Sequence, residues 1–275
     1  MLSEERYKDA GINGNSTTSS SLKTKVLHSL MENSPSSTKI ISSKLDVHQS
    51  SISHVVKDMV RQDLIAKTDK GYMLTNIGRL HVTIMDSLHA TFGAIERQKD
   101  FILSHNLFDV PMKFQTQVGI ICNQQEQLNT DISTPFRKQE YLTNSLKNSN
   151  EIRGISSVIS SEHARAIIHA IKQGADVDMI ITDRVLQVLK DEYTAVPRET
   201  PVCRNLKIRC IDEIKLSLWV TEKNMFLGLH RLDGSYDFEN IIICKDQDAI
   251  EWGHMLFRHY LGRTKLINDP LLSSS

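Results

Sequence analysis

Apolar residues in the first quarter of the chain recur three and four positions apart, in three runs separated by short polar breaks. Leu22, Val26, Leu27 and Leu30 predict a first helix from about Ser21, broken by Asn33-Ser34-Pro35. Ser36 or Ser37 then caps a second helix carrying Ile40, Ile41 and Leu45. Asp46-Val47-His48 makes a turn, and a third helix runs from Gln49 to Gln62 with Ile52, Val55, Val56, Met59 and Val60 inward. There the pattern changes. Leu64 and Ile65 open a strand, Asp69-Lys70-Gly71 is a turn signal, and Tyr72-Met73-Leu74 returns. Helix, turn, helix and hairpin in this order is the plan of a winged helix-turn-helix, whose second helix enters the DNA major groove.

After Thr75, Ile77, Leu80, Ile84, Leu88, Ile95 and Ile102 keep a helical spacing. The pattern predicts one helix of roughly 28 residues, about 40 Å long. A helix that long, leaving a small module, suits pairing with its counterpart in a second subunit. The plainer alternative is a core helix of the next domain.

Phe108-Asp109-Val110-Pro111 opens a mixed stretch, with helical signal at Gln139–Lys147. Strands are then predicted at Ile152–Ile159, Asp176–Ile181, Leu206–Ile211, Leu216–Val220, Phe226–His230 and Phe238–Cys244. Helices are predicted at Ser161–Gln173, Asp183–Tyr193 and Asp246–Gly262. Alternating strands and helices followed by a meander imply an α/β sheet covered by helices. The expected organisation is a flexible tail over 1–20, a winged helix over 21–75, a linking or dimerisation helix over 76–106, an α/β sensor or regulatory domain over 107–265, and a loose end over 266–275. In class terms the chain is α+β and α/β.

Composition narrows the setting. Hydrophobic residues make up 40% and charged residues 24%, so most of the chain should fold. No stretch approaches the roughly 18 apolar residues of a membrane span, and the polar N-terminus lacks a signal-peptide core. A cytoplasmic protein without membrane contact is expected. Residues 21–92 hold nine Lys and Arg against six Asp and Glu; the remainder holds 24 against 27. The bias suits a DNA-binding part joined to a part with another task. The four cysteines form no Cys-x-x-Cys pair. They read as small buried hydrophobes or, at Cys203 and Cys210 beside a loop-to-strand junction, as a redox switch.

The third helix carries the candidate chemistry. A recognition helix needs one apolar face for seating and small or hydrogen-bonding residues on its outer first turn. Gln49, Ser50, Ser51, Ser53, His54 and Lys57 meet that need. Gln49 can present a paired donor and acceptor to adenine. Lys67 and Lys70 on the wing can follow the phosphate backbone or enter the minor groove, and Lys39 and Lys44 can clamp phosphates from the preceding helix. The expected partner is double-stranded DNA, bound by a homodimer. The bland counterpart is a solvated polar face, or a winged helix that binds protein.

Several segments resemble a known family. SSKLDVHQSSISHVVKDMVRQDLI and GYMLTNIGR on the N-terminal side are similar to archaeal ArsR-like winged-helix transcription regulators. NEIRGISSVIS, GADVDMIITDRVLQVL and LSLWVTEKNMFLGLHRLDGSYD resemble the filamentation-regulator-type C-terminal domain that some such methanogen regulators carry. The resemblance covers most of residues 20–265. It implies a dimeric transcription factor with a domain that senses a small molecule or redox state. The C-terminal pattern also resembles half of a phospholipase D-type fold. That family's phosphodiesterases need His-x-Lys, with His as nucleophile, and the chain has no such motif. His163-Ala164-Arg165 and His230-Arg231-Leu232 depart from it. A non-catalytic domain is expected, with a phosphodiesterase-like enzyme as the rival.

Two strand-to-helix junctions, Ser160-Ser161-Glu162 and Thr182-Asp183-Arg184, offer helix N-termini at the ends of strands, where polar ligands bind in such sheets. Arg184, Trp219, His230 and Arg231 are candidates for the same small-molecule effector pocket. Simple capping by Ser161 and Asp183 is the bland counterpart. The eleven histidines show no i, i+4 pair, and there is no Gly-rich phosphate loop or Gly-x-Ser-x-Gly elbow. No metal or cofactor is expected.

Overall fold

The computed structural model describes residues 17–123, 136–193 and 205–267. The chain forms two compact units, one ending at His89 and the other beginning at Ala90.

The first unit contains α1 (Thr17–Glu32), α2 (Thr38–Leu45), α3 (Gln49–Arg61), β1 (Ile65–Thr68), β2 (Gly71–Leu74) and the start of α4 (Asn76–Arg97). The first helix thus begins at Thr17, inside the stretch expected to be a flexible tail. Val26, Leu27 and Leu30 meet Ile41, Ile52, Val56, Met59 and Leu64 in one apolar cluster. Val60, expected inward, is 38% exposed, because it lies on the flank of the face that Ile52, Val55, Val56 and Met59 define. The Ser37 hydroxyl caps α2 by accepting from the Ile40 N–H at 3.3 Å. Asp46 takes a left-handed conformation, φ 51°, which ends α2 and turns the chain toward α3. The Ser42 hydroxyl donates to the Val47 carbonyl at 2.6 Å and ties that turn together.

In the wing, Ile65 pairs with Leu74 and Thr68 with Gly71, antiparallel. A third segment joins it. Ser36 N–H donates to Tyr72 O at 2.9 Å, and Tyr72 N–H donates to Ser36 O at 2.8 Å. Gly71 makes this approach possible. Its φ is +136°, and an added Cβ would sit 2.5 Å from the Ser36 carbonyl.

The expected single helix over 76–104 is two. α4 ends at Arg97, Gln98 departs to φ −106° and ψ 18°, and α5 (Lys99–Ser104) follows. The departure leaves Phe101 and Ile102 packed on the core of the second unit, a job a straight surface helix does not require.

The second unit continues with α6 (Met112–Gln115), α7 (Val118–Asn123), α8 (Arg137–Lys147), β3 (Glu151–Ser156), α9 (Ser161–Lys172), β4 (Asp176–Ile181), α10 (Asp183–Tyr193), β5 (Leu206–Cys210), β6 (Leu216–Thr221), β7 (Met225–Leu229), β8 (Ile242–Cys244), α11 (Gln247–Leu261) and β9 (Lys265–Leu266). The sheet order is β8-β7-β6-β3-β4-β5-β9, with β3, β4 and β5 parallel and the other pairings antiparallel. Side chains alternate across it. Leu216, Leu218 and Val220 face one apolar cluster with α11, whereas Trp219 and Phe226 face another with α8 and α9. The sheet is therefore covered on both faces, and β6 and β7 are buried along their whole length.

Three expectations shift. The strand expected to run to Ile159 ends at Ser156, whose hydroxyl donates to the Val158 carbonyl and turns the chain out of the ladder. Phe238–Ile241 is not strand: Asp237 takes the N–H groups of Glu239 and Asn240 on its carboxylate, so only Ile242–Cys244 joins the ladder. β9 reaches one residue into the end expected to be loose: Lys265 and Leu266 pair with Cys210 and Arg209, and residues 268–275 lie outside the described residues. Among the described residues, no helix is long and apolar enough to cross a membrane.

Candidate functional site

The outer face of α3 follows from its periodicity. Ile52, Val55, Val56 and Met59 are buried, so positions near the opposite side project away from the core. Ser50, His54 and Lys57 lie there and are exposed; Gln49 and Ser51 are exposed beside them, and Ser53 is half-buried on the flank. Arg61 extends the same column by one turn and was not singled out from the sequence, although the i, i+4, i+7, i+11 spacing from Ser50 marks it. Its guanidinium pairs with Asp58. His48 gives α3 no side-chain cap. Lys67 and Lys70 are exposed on the wing. Lys39 is exposed on α2, whereas the ammonium of Lys44 is held by Glu32 at 2.6 Å.

A second surface lies on α4. Ile77, Leu80, Ile84 and Leu88, three or four residues apart, are 50–62% exposed. The opposite side is seated: Val82 is buried, and a Cβ on Gly78 would fall 2.0 Å from the Leu64 carbonyl oxygen. A helix with one seated face and one apolar exposed face has a surface that water does not satisfy.

In the α/β unit, the carboxyl ends of β3, β4, β5 and β7 share one edge, since β7 is antiparallel to β6 and β6 to β3. Ser160, Ser161, Thr182, Asp183, Arg184, His230 and Arg231 lie at that edge. Trp219 does not: it is 2% exposed in the middle of β6, with Gly154 leaving room for its ring, and it belongs to the core. The caps fall one residue earlier than expected. Ser160 accepts from the His163 N–H at 3.2 Å, and Thr182 accepts from the Val185 N–H at 3.4 Å.

His230 is engaged on both nitrogens, Nε2 with the Ser157 hydroxyl at 2.9 Å and Nδ1 with the Gly234 carbonyl at 3.0 Å. Its Nδ1–H therefore donates to Gly234 and its Nε2 accepts from Ser157. Beneath them, Ser156 and Ser217 are buried 3.3 Å apart. Burial pushes the nearby Tyr236 phenol up to about 12 despite a hydrogen bond with Ser217. Ser156, Ser157, Ser217 and Tyr236 were missed in the sequence, because serines and one tyrosine carry no periodic signal.

Arg231 is anchored to the fold through one of its N–H groups. It donates to Asp237 at 3.0 Å, and the same carboxylate meets His105 Nε2 at 3.1 Å and the Asn240 amide at 3.0 Å. Burial alone would raise the Asp237 pKa. The hydrogen bonds from Arg231 and Asn240 and the backbone N–H groups of Asn240 and Glu239 outweigh it, and hold the carboxyl well below the usual range.

Cys203 lies outside the described residues, and Cys210 is half-buried at the end of β5. Cys122 and Cys244 are buried, and desolvation pushes their thiols up to about 11 and about 12. Thiols held protonated in this way are poor nucleophiles. Among the described residues, no three His, Cys, Asp or Glu side chains are placed to hold a metal ion.

Comparison with known proteins finds two matching domain models. Residues 15–92 match the model described as the N-terminal domain of the methanogenesis regulatory protein FilR1, and residues 135–263 match its middle domain. A methanogenesis regulatory protein FilR1 from Methanothrix harundinacea (strain 6Ac) is 28% identical over 223 residues, which are 79% of this chain and 50% of that protein. The chain thus spans about half the length of the curated relative it matches. Among solved structures, TrmBL2, an archaeal chromatin protein, aligns with 89% of this chain and 93% of its own at 14% identity and a TM-score of 0.41. A phospholipase D family member, Nuc from Salmonella typhimurium, aligns with 47% of this chain and 90% of its own at 10% identity and a TM-score of 0.35. Across both of its units, and in the same order, the chain is similar to the N-terminal and middle domains of the methanogenesis regulatory protein FilR1.

Proposed function

We propose that the chain is a transcription regulator that binds double-stranded DNA as a homodimer, with its α/β unit responding to a small effector. The observation that carries the reading is the outer face of α3. Ser50, His54 and Lys57 project opposite a fully seated apolar face, with Gln49, Ser51 and Ser53 at the end that approaches bases and with Lys67 and Lys70 on the wing beside them. Gln49 and the serines read base edges, and His54 and Lys57 take phosphate or a base acceptor. Lys39, Lys67 and Lys70 follow the backbone, and Lys44 joins them by exchanging Glu32 for a phosphate. The similarity to a methanogenesis regulatory protein supports the regulatory half of the reading.

The exposed stripe of Ile77, Leu80, Ile84 and Leu88 supports the dimer. Two copies of such a stripe bury each other by two-fold symmetry and set two recognition helices for two half-sites. The missing His-x-Lys motif supports sensing over hydrolysis in the α/β unit.

The test is occupancy of the genome by the tagged chain in cells. Discrete peaks upstream of genes support the reading. Absence of any enrichment over DNA, with stable capture of one protein partner, overturns it in favour of a protein-binding winged helix.

A further inference from the structure

α11 and the short helix α6 flank an open pocket of about 410 Å³, lined by Lys113, Phe114, Gln117, Met255, Arg258 and His259. Three of these six side chains are basic and none is acidic. Lys113 lies 4.9 Å over the Phe114 ring and forms no ion pair among the described residues. Arg258 gives Nη2 to Glu251 at 2.5 Å, which engages one of the five N–H groups of a guanidinium. His259 packs edge-on against Phe114 at 5.8 Å and Tyr260 at 5.4 Å. Its Nε2 is buried and has no hydrogen-bond partner.

That last fact matters because buried polar atoms in folded proteins are almost always paired, and each exception asks for a missing partner. Desolvation first, then the charges of Arg263 and Lys113, lowers the His259 pKa from its ordinary value. An anion placed among these groups would offset the two electrostatic contributions. The other wall of the pocket is apolar and held in place. Phe114 is 4% exposed, its carbonyl accepts from Trp252 Nε1 at 3.4 Å, and the Gln115 amide donates to Leu107 O at 3.1 Å and Val110 O at 2.7 Å. Tyr260 ties α11 to the same segment through its hydroxyl, which donates to the Asp109 carbonyl.

We infer that this pocket binds a small organic anion, its carboxylate or phosphate held by Lys113, Arg258 and His259 and its apolar part resting on Phe114 and Met255. The inference gives the sensing half of the proposed function a site, made from residues other than the Ser157–His230 edge. It is tested without DNA, so the failure of one reading is distinguishable from the failure of the other.

The experiment is calorimetric titration of the full chain with hexanoate, hexyl phosphate, inorganic phosphate and hexanol. Hexanoate or hexyl phosphate should bind saturably, one per chain, and the tighter of the two names the head group. Phosphate without a tail and hexanol without a charge should bind at least about tenfold more weakly. Lys113→Ala and Arg258→Ala, both at exposed positions, should each weaken binding about tenfold with the thermal transition unchanged. In the complex, the His259 ring should titrate at higher pH by NMR, against a background of Lys113, Arg258, Arg263 and Tyr260. The inference is overturned if neither amphiphile binds saturably, if both variants bind as the parent does, or if His259 titrates at the same pH with and without ligand.

Discussion

Gly71→Ala adds one methyl group where the wing meets the segment before α2. Two costs follow. The residue sits at φ +136°, a conformation that side chains other than glycine adopt at roughly 1–3 kcal/mol. The new Cβ would also fall 2.5 Å from the carbon and oxygen of the Ser36 carbonyl, both rigid backbone atoms. Relief requires moving Ser36 away from Tyr72, which breaks the hydrogen bonds of 2.9 and 2.8 Å between them. Each such bond contributes about 1 kcal/mol net. The sum is on the order of 3–5 kcal/mol, a large part of the stability of a small domain. In a unit of this size, 3 kcal/mol lowers the melting temperature by roughly 12–24 °C. Gly174→Ala is the control: its φ is +98°, but nothing lies within 4 Å of the added atom. It therefore carries conformational strain without collision. Urea titrations followed by circular dichroism compare the two. Equal losses of stability would refute the collision argument, and a loss below about 0.5 kcal/mol for Gly71→Ala would refute both parts.

Other outcomes follow from the same structure. Leu80→Glu with Ile84→Glu places charges on the exposed stripe of α4 and should convert a dimer to a monomer by analytical ultracentrifugation; a parent chain that sediments as a monomer would remove the basis of that prediction. His163 is 7% exposed, and burial lowers its pKa to about 4. Its folded pKa lies below the unfolded value of about 6.5, so stability present above that pH is lost as pH falls toward 4, by up to about 3 kcal/mol. His163→Leu should flatten that slope of stability against pH. Asp237→Ala leaves Arg231, Asn240 and the buried His105 without their shared carboxylate, and should destabilise the α/β unit by about 3–5 kcal/mol in chemical denaturation.

The winged helix was legible because its core obeys one rule. Ile52, Val55, Val56 and Met59 lie on one face at helical spacing, and Asp69-Lys70-Gly71 marks the hairpin. The alternation of Leu216, Leu218 and Val220 with Trp219 announced a strand equally plainly. What escaped depends on contacts between distant residues. A single-residue bridge such as Ser36 to Tyr72 leaves no periodic trace. Trp219 looked like a pocket residue until Gly154, 65 positions earlier, supplied the gap that takes its ring. The halt of α4 at Gln98 carries no proline or glycine signal, since Phe101 and Ile102 make it necessary only once the second core exists. Lys113 and His259 share a pocket across 146 positions of sequence, and neither stands out alone.

The central claim is that the outer face of α3 and the wing contact DNA phosphates and bases. It is tested most directly by fluorescence anisotropy of a labelled promoter duplex with the full chain, titrated across about 50 to 200 mM salt. The affinity should fall steeply with salt. Lys57→Ala and Lys70→Ala should each weaken binding at low salt and reduce the logarithmic slope by about 2 in a dimer, one phosphate contact per subunit. Parental affinity and slope in both variants would contradict the account.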